Sequence, residues 1–112
     1  MALVMSIPRG VPITVDSAVS APATGNVFTF QPRPDGGNLS ALFLAQGTLT
    51  TLAAKLQLSM DGGTTWQDYI SSVNFWPAPS TNLVSVSVVA GAVYRINYTT
   101  ASGSINAIVS TN

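Results

Sequence analysis

Few of the side chains can do chemistry. The chain has no His, Cys or Glu, so its carboxylate side chains are Asp16, Asp35, Asp61 and Asp68. It therefore lacks the ordinary general base near neutral pH, the ordinary thiol nucleophile and the main ligands of zinc, copper and iron. Asp61 and Asp68 are the pair to test as a glycosidase acid and nucleophile or base. That chemistry needs carboxylates roughly 5 to 9.5 Å apart and one raised pKa. Asp61 falls in a turn, where water is close and nothing raises it. A Ca²⁺ site needs several closely spaced oxygens, and four scattered Asp are a poor supply. What remains for covalent or acid–base work is Asp, Lys, Ser, Thr and Tyr. No catalytic, cofactor-binding or metal-ligating residue is assigned, and the chain is read as a non-enzyme without a cofactor.

The sharpest motif surrounds Asp61. Ser59-Met60-Asp61-Gly62-Gly63-Thr64-Thr65-Trp66 matches every fixed position of S-x-D-x-G-x-T-W and resembles the Asp-box hairpin of sialidases and related propellers. Its physics is local. Asp61 can accept backbone N–H groups across the turn, Gly62 and Gly63 tolerate positive φ, Thr65 continues the turn and Trp66 packs over it. In sialidases the box is structural and lies away from the chemistry, so the resemblance implies a structural turn at Ser59, Asp61, Gly62, Gly63, Thr65 and Trp66. A propeller needs several blades, and one copy is present.

The elements that must hold this turn are strands. At 112 residues and 11.6 kDa the chain is one domain. Its first 37 residues are dense in Pro and Gly and predict an extended arm with short strands at Pro12–Val15 and Asn26–Gln31. From 38 to 112 apolar residues recur at every second position. Leu52, Ala54, Leu56, Leu58 and Met60 form one face of a strand that returns through Thr64–Ile70. Val84, Val86 and Val88, then Tyr94, Ile96 and Tyr98, mark two more. Thr100–Gly103 reads as a turn before a last strand carrying Ile105, Ala107 and Val109. Leu39–Gln46 has apolar residues on both sides and reads as buried on both faces. The pattern predicts an all-β antiparallel sandwich, jelly-roll or immunoglobulin-like, of about seven to eight strands, with the arm as part of the same domain.

Charge and aromatics address partners. Arg9, Arg33, Lys55 and Arg95 balance the four Asp, giving a net charge of +0 with only 7% charged residues. There is no basic stripe for nucleic acid. No run reaches the length of a membrane helix, and Met1–Ile7, cut off by Pro8, does not read as a secretory signal. So little charge gives little self-repulsion and favours burial in an assembly, hence a homo-oligomer made in the cytoplasm. Candidate interface residues are Arg9, Arg33, Tyr69, Phe75, Trp76 and Arg95. Large aromatics can anchor an interface or close the end of a sandwich, and Trp66, Tyr69 and Trp76 could stack on sugars. Arg95, the only charge in its strand, either pairs with Asp68 or points across an interface.

Taken together, the Leu58–Trp66 hairpin and the closing Val93–Ser110 segment (VYRINYTTASGSINAIVS) resemble small all-β virion proteins of tailed bacteriophages. These include capsid decoration or cement proteins and sandwich modules of head fibres and tails. The resemblance implies a non-enzymatic structural protein on the capsid surface of a virion. It would bind the major capsid protein, commonly as a trimer, and bridge neighbouring subunits. The Pro-rich arm would then serve as a clamp that adds a strand to a neighbour's sheet. The alternative is a carbohydrate-binding or host-recognition module of a head fibre or tail.

Overall fold

The computed structural model describes residues 4–69, 76 and 83–112. Among them there is no helix and there are eight strands: β1 (Met5–Ile7), β2 (Ile13–Val19), β3 (Ala23–Thr24), β4 (Phe28–Phe30), β5 (Leu39–Ser59), β6 (Gln67–Asp68), β7 (Leu83–Val88) and β8 (Val93–Thr111).

Two strands dominate. β5 has 21 residues and β8 has 19, and they pair antiparallel from Ala41↔Thr111 to Ser59↔Val93. Straight, β5 would span about 70 Å at about 3.4 Å per residue, yet the longest extent of the molecule is 40 Å. The ribbon must fold over on itself, and that fold makes the sandwich. Layer one holds β7, the first half of β5, the second half of β8 and β2. Layer two holds β6, the second half of β5, the first half of β8, then β3 and β4, with β1 outermost.

The corner has a local cause. The register slips between Leu49 and Thr51 and again between Ala53 and Ala54, one extra residue in each strand. Each bulge reverses which side chains face inward. In β5 the buried set passes from Leu39, Ala41, Phe43 and Ala45 to Leu52, Ala54 and Leu56. In β8 it passes from Tyr94, Ile96 and Tyr98 to Ala101, Ile105, Ala107 and Val109. Gly47 and Gly103 sit at this corner with φ of 109° and 97°. A side chain on Gly103 would collide with the Thr48 carbonyl oxygen, and one on Gly47 with that of Ser104.

The core between the layers is aromatic. Phe28 stacks on Tyr94 at 6.2 Å, meets Phe30 edge-on at 5.6 Å and reaches Phe43 of the other layer at 6.2 Å. A buried polar clamp joins the layers as well. The Tyr98 hydroxyl in β8 donates to Asp16 Oδ2 in β2 at 2.7 Å, and the backbone N–H of Asn26 donates to Asp16 Oδ1 at 2.8 Å. Gly25 lies against that carboxylate, where a Cβ would collide with Asp16 Oδ2. Burial and the neighbouring Asp16 carboxylate push the Tyr98 phenol far above its usual range.

Four expectations need correction. Thr100–Gly103 is no turn, because bulges let β8 run on to Thr111. Leu39–Gln46 is buried on one face only, with Leu42 48% exposed on the other, because none of the described strands covers that side. The sheet is mixed, since β1 pairs parallel with β4. The arm does not reach outward: β1, β2, β3 and β4 pair with one another or with β8 inside the chain. The return strand after the turn is Gln67–Asp68, and Ile70 lies outside the described residues.

Candidate functional site

The Ser59–Trp66 turn closes as its residue types require. Ser59, buried at the end of β5, donates its hydroxyl to Asp61 Oδ1 at 2.6 Å and accepts the Gly63 N–H at 2.9 Å. Asp61 Oδ1 also accepts the N–H groups of Thr64 at 3.1 Å and Thr65 at 2.8 Å. Gly62 and Gly63 take φ of 78° and 102°. The Trp66 indole N–H donates to the Gly63 carbonyl at 3.0 Å. The bonds to Asp61, led by that from Ser59, hold its carboxyl down at about 2. A carboxylate so stabilised in its charged form is poorly suited to give a proton.

The return strand sets up a second feature, on the outer face of layer two. Gln57 lies opposite Arg95 of β8 on one side and Asp68 of β6 on the other. The three side chains link across the strands. Arg95 Nε donates to Gln57 Oε1 at 2.8 Å, and Gln57 Nε2 donates to Asp68 Oδ1 at 3.1 Å. Lys55 Nζ reaches Asp68 Oδ2 at 3.4 Å. The Arg95 guanidinium lies over the Trp66 ring, 4.3 Å from its centroid, a cation–π contact. Burial lowers the Arg95 pKa; a guanidinium is charged at any ordinary pH. Of the two readings of Arg95, the pair with Asp68 does not form: Asp68 takes Lys55 as its cation, and Gln57 stands between. Asp61 and Asp68 are held by separate partners.

The other candidates scatter. Trp76 is fully buried, bridging the backbone of Ala54, so it presents no surface for stacking. Tyr69 is half-buried, its hydroxyl donating to the Ser87 carbonyl at 2.7 Å and its ring edge-on to Tyr94 at 6.0 Å. Phe75 lies outside the described residues. Arg9 is exposed, bridging to Thr111 where the chain crosses from layer two to layer one. Arg33 pairs with Asp35 at 2.8 Å, and this guanidinium, with the Gly37 amide, holds the Asp35 carboxyl well below the usual range. Among the described residues no group of three or more His, Cys, Asp or Glu could hold a metal, and no helix is long and apolar enough to cross a membrane.

The outer face of layer one is the opposite in character. Leu44 lies between Leu83 of β7 and Ile108 of β8, and Leu42 between Ser85 and Ser110. Leu42 and Leu83 are 48% and 57% exposed. The residues on this face of β5, β7 and β8 include no charge among those described.

No family model matches the chain, and no curated protein sequence does. Among solved structures it is similar to the pre-peptidase C-terminal domain of a collagenase from Bacillus anthracis, with a TM-score of 0.50 and 15% identity over 100% of this chain and 97% of that one. At that identity the likeness speaks to the fold, an all-β, sandwich-like architecture.

Proposed function

We propose that this chain is a non-enzymatic structural protein of a phage virion that binds the outside of the capsid and bridges its subunits. The observation that carries the reading is the uncharged outer face of layer one, with Leu42, Leu44, Leu83 and Ile108 in adjoining positions among serines. Soluble monomers seldom leave such a face open. Each half-exposed leucine gains about 1 kcal/mol when a partner covers it, and serines let two surfaces approach without stranding a charge. The occupant of this face is the major capsid protein. The resemblance of Leu58–Trp66 and Val93–Ser110 to phage decoration proteins supplies the partner's identity, and the chain acts as a homo-oligomer, a trimer first. Binding the assembled shell in preference to free subunits stabilises the shell by mass action.

The test is sedimentation with empty, expanded shells of the phage that encodes the chain. The wild-type chain should pellet with the shells. Leu42→Asp, which leaves the buried Ala41 and Phe43 in place, should stay in the supernatant at the same concentration. A wild-type chain that does not pellet refutes the reading, and a Leu42→Asp chain that binds equally well refutes the choice of face.

A further inference from the structure

The outer face of layer two is turned away from the one assigned to the shell, and its composition asks for a different ligand. Trp66, Arg95, Gln57, Asp68 and Lys55 form one linked row across three strands. Arg95 is held twice, by the Trp66 ring that its guanidinium lies over and by Gln57 at its Nε. An arginine on an open sheet ordinarily loses rotamer freedom when it binds, and here much of that loss has already occurred in the free protein. The charges along the row do not cancel. Asp68 has Lys55 as its partner, whereas Arg95 has no carboxylate within 4 Å among the described residues. Its two Nη nitrogens make no hydrogen bond to the described residues. A fixed, planar, unmatched guanidinium is a receptor for a carboxylate, which it can take through two parallel N–H donors.

The neighbours decide what carries that carboxylate. Gln57, Asp68 and Asn97 offer both donors and acceptors on this face, and Trp66 is the one aromatic among the described residues of the row. A protein interface would want an apolar centre here. A hydroxyl-dense ligand with one negative charge fits the row better. Arg95, Gln57 and Asp68 stand directly opposite one another on adjacent strands, so they span about 10 Å, the reach of two linked sugar rings.

We propose that this face binds an acidic saccharide, its carboxylate seated on Arg95 beside Trp66 and its hydroxyls exchanging hydrogen bonds with Gln57 and Asp68. This goes beyond attachment to a shell and is tested on the isolated chain, so either reading can fail alone.

The experiment starts with a printed array of sialylated and uronic-acid glycans, each with its neutral parent. It continues with an NMR titration of ¹⁵N-labelled chain using the best acidic glycan, its neutral parent and tri-aspartate. An acidic glycan should move the Trp66 indole and Arg95 Nε resonances, bind at least about tenfold tighter than its neutral parent and weaken as salt rises. Arg95→Gln should abolish binding with the melting curve little changed. Arg95→Lys, which keeps the charge and loses the planar fork, should weaken it about tenfold and decides the matter if Arg95→Gln does not fold. The proposal is overturned by an array with no acidic binder, by equal binding of acid and neutral parent, by tri-aspartate binding more tightly than any glycan, or by an Arg95→Lys chain that binds as well as wild type.

Discussion

Replacing Gly103 by alanine tests the folded-ribbon account directly. Gly103 has φ of 97°, outside the region an L-residue adopts readily, which costs about 1–3 kcal/mol. Its new methyl would also collide with the Thr48 carbonyl oxygen and lie 3.0 Å from the carbonyl carbon and 3.2 Å from Thr50 Oγ1. Thr48 is in the strand paired with β8, so relief requires moving the β5 backbone and breaking a ladder hydrogen bond, about 1–3 kcal/mol more. The sum is about 4 kcal/mol. For 112 residues at about 2.1 cal/mol/K per residue, unfolding entropy is about 0.24 kcal/mol/K, so Tm should fall by about 17 °C. Gly62→Ala is the control. Its φ of 78° is also left-handed, but nothing lies within 4 Å of the added Cβ, so only the dihedral cost remains, about 1 kcal/mol and about 4 °C. Thermal melts followed by circular dichroism, with urea titrations for ΔG, measure both. If the two variants melt within a few degrees of each other, the close approach of β5 and β8 at the corner is not what holds the layers together.

Two further predictions concern titration. Tyr98→Phe leaves Asp16 Oδ2 without its phenol donor and should cost about 1–3 kcal/mol in urea unfolding. Because the folded state raises the Tyr98 pKa above the ordinary 10.0, its share of stability is complete below about pH 10 and lost as pH rises further; Tyr98→Phe should flatten that alkaline decline, and an unchanged alkaline slope would argue against the clamp. Asp61 works in the other direction. Its pKa is lowered from 3.8 to about 2, so its contribution is present above the unfolded value and fades as pH falls through that window. Asp61→Asn should lower Tm at neutral pH and reduce its fall between pH 4 and 2, leaving the part due to Asp35, whose pKa is lowered too. A variant with the wild-type acid profile would show that the turn does not depend on the charged carboxylate.

Much of the fold is legible in local chemistry. The alternation in Leu52–Leu58 and Tyr94–Tyr98 names strands because side chains one residue apart must face opposite ways, and the buried residues Leu52, Ala54, Leu56, Tyr94, Ile96 and Tyr98 lie on the faces so named. Met60, expected on the same face, lies past the end of β5 and is 74% exposed, because the turn begins at Ser59, which is buried instead. The Ser59–Trp66 turn is legible to the level of single hydrogen bonds, since Ser, Asp and Gly at that spacing satisfy one another without help from distant residues. Asp61 is thereby explained, and so is its low pKa. At the corner, composition misleads. Ser102-Gly103-Ser104 has the composition of a turn, but Gly103 serves as the place where two long strands approach too closely for a side chain. Leu42 and Leu44 mislead for a related reason: an apolar residue in a strand states a preference for burial, and whether anything covers it depends on the layer count.

The candidate face is legible only in fragments. Trp66, Asp68 and Arg95 each draw notice by residue type, alternation marks the strand that carries Gln57, and the Ser59–Trp66 turn sets its register against β6, but nothing local sets it against β8. Register is the deciding fact, because a one-residue slip would move Gln57 to the inner side and break the row. Asp16 carries still less signal. Its partner Tyr98 is 82 residues away in sequence, and only the folding of layer one onto layer two brings the carboxylate to the phenol.

The sequence by itself therefore determined the features that neighbours along the chain settle among themselves: all-β architecture, the hydrogen-bonded turn at Asp61, and the absence of His, Cys and Glu that restricts the available chemistry. Tertiary structure decided the rest. The pairing of Gln57 with Arg95, the corner at Gly47 and Gly103, and the exposure of Leu42 all depend on which segments meet across tens of residues. Contacts of that kind are selected by the packing of the whole core, and the local backbone preferences that a sequence displays are silent about them.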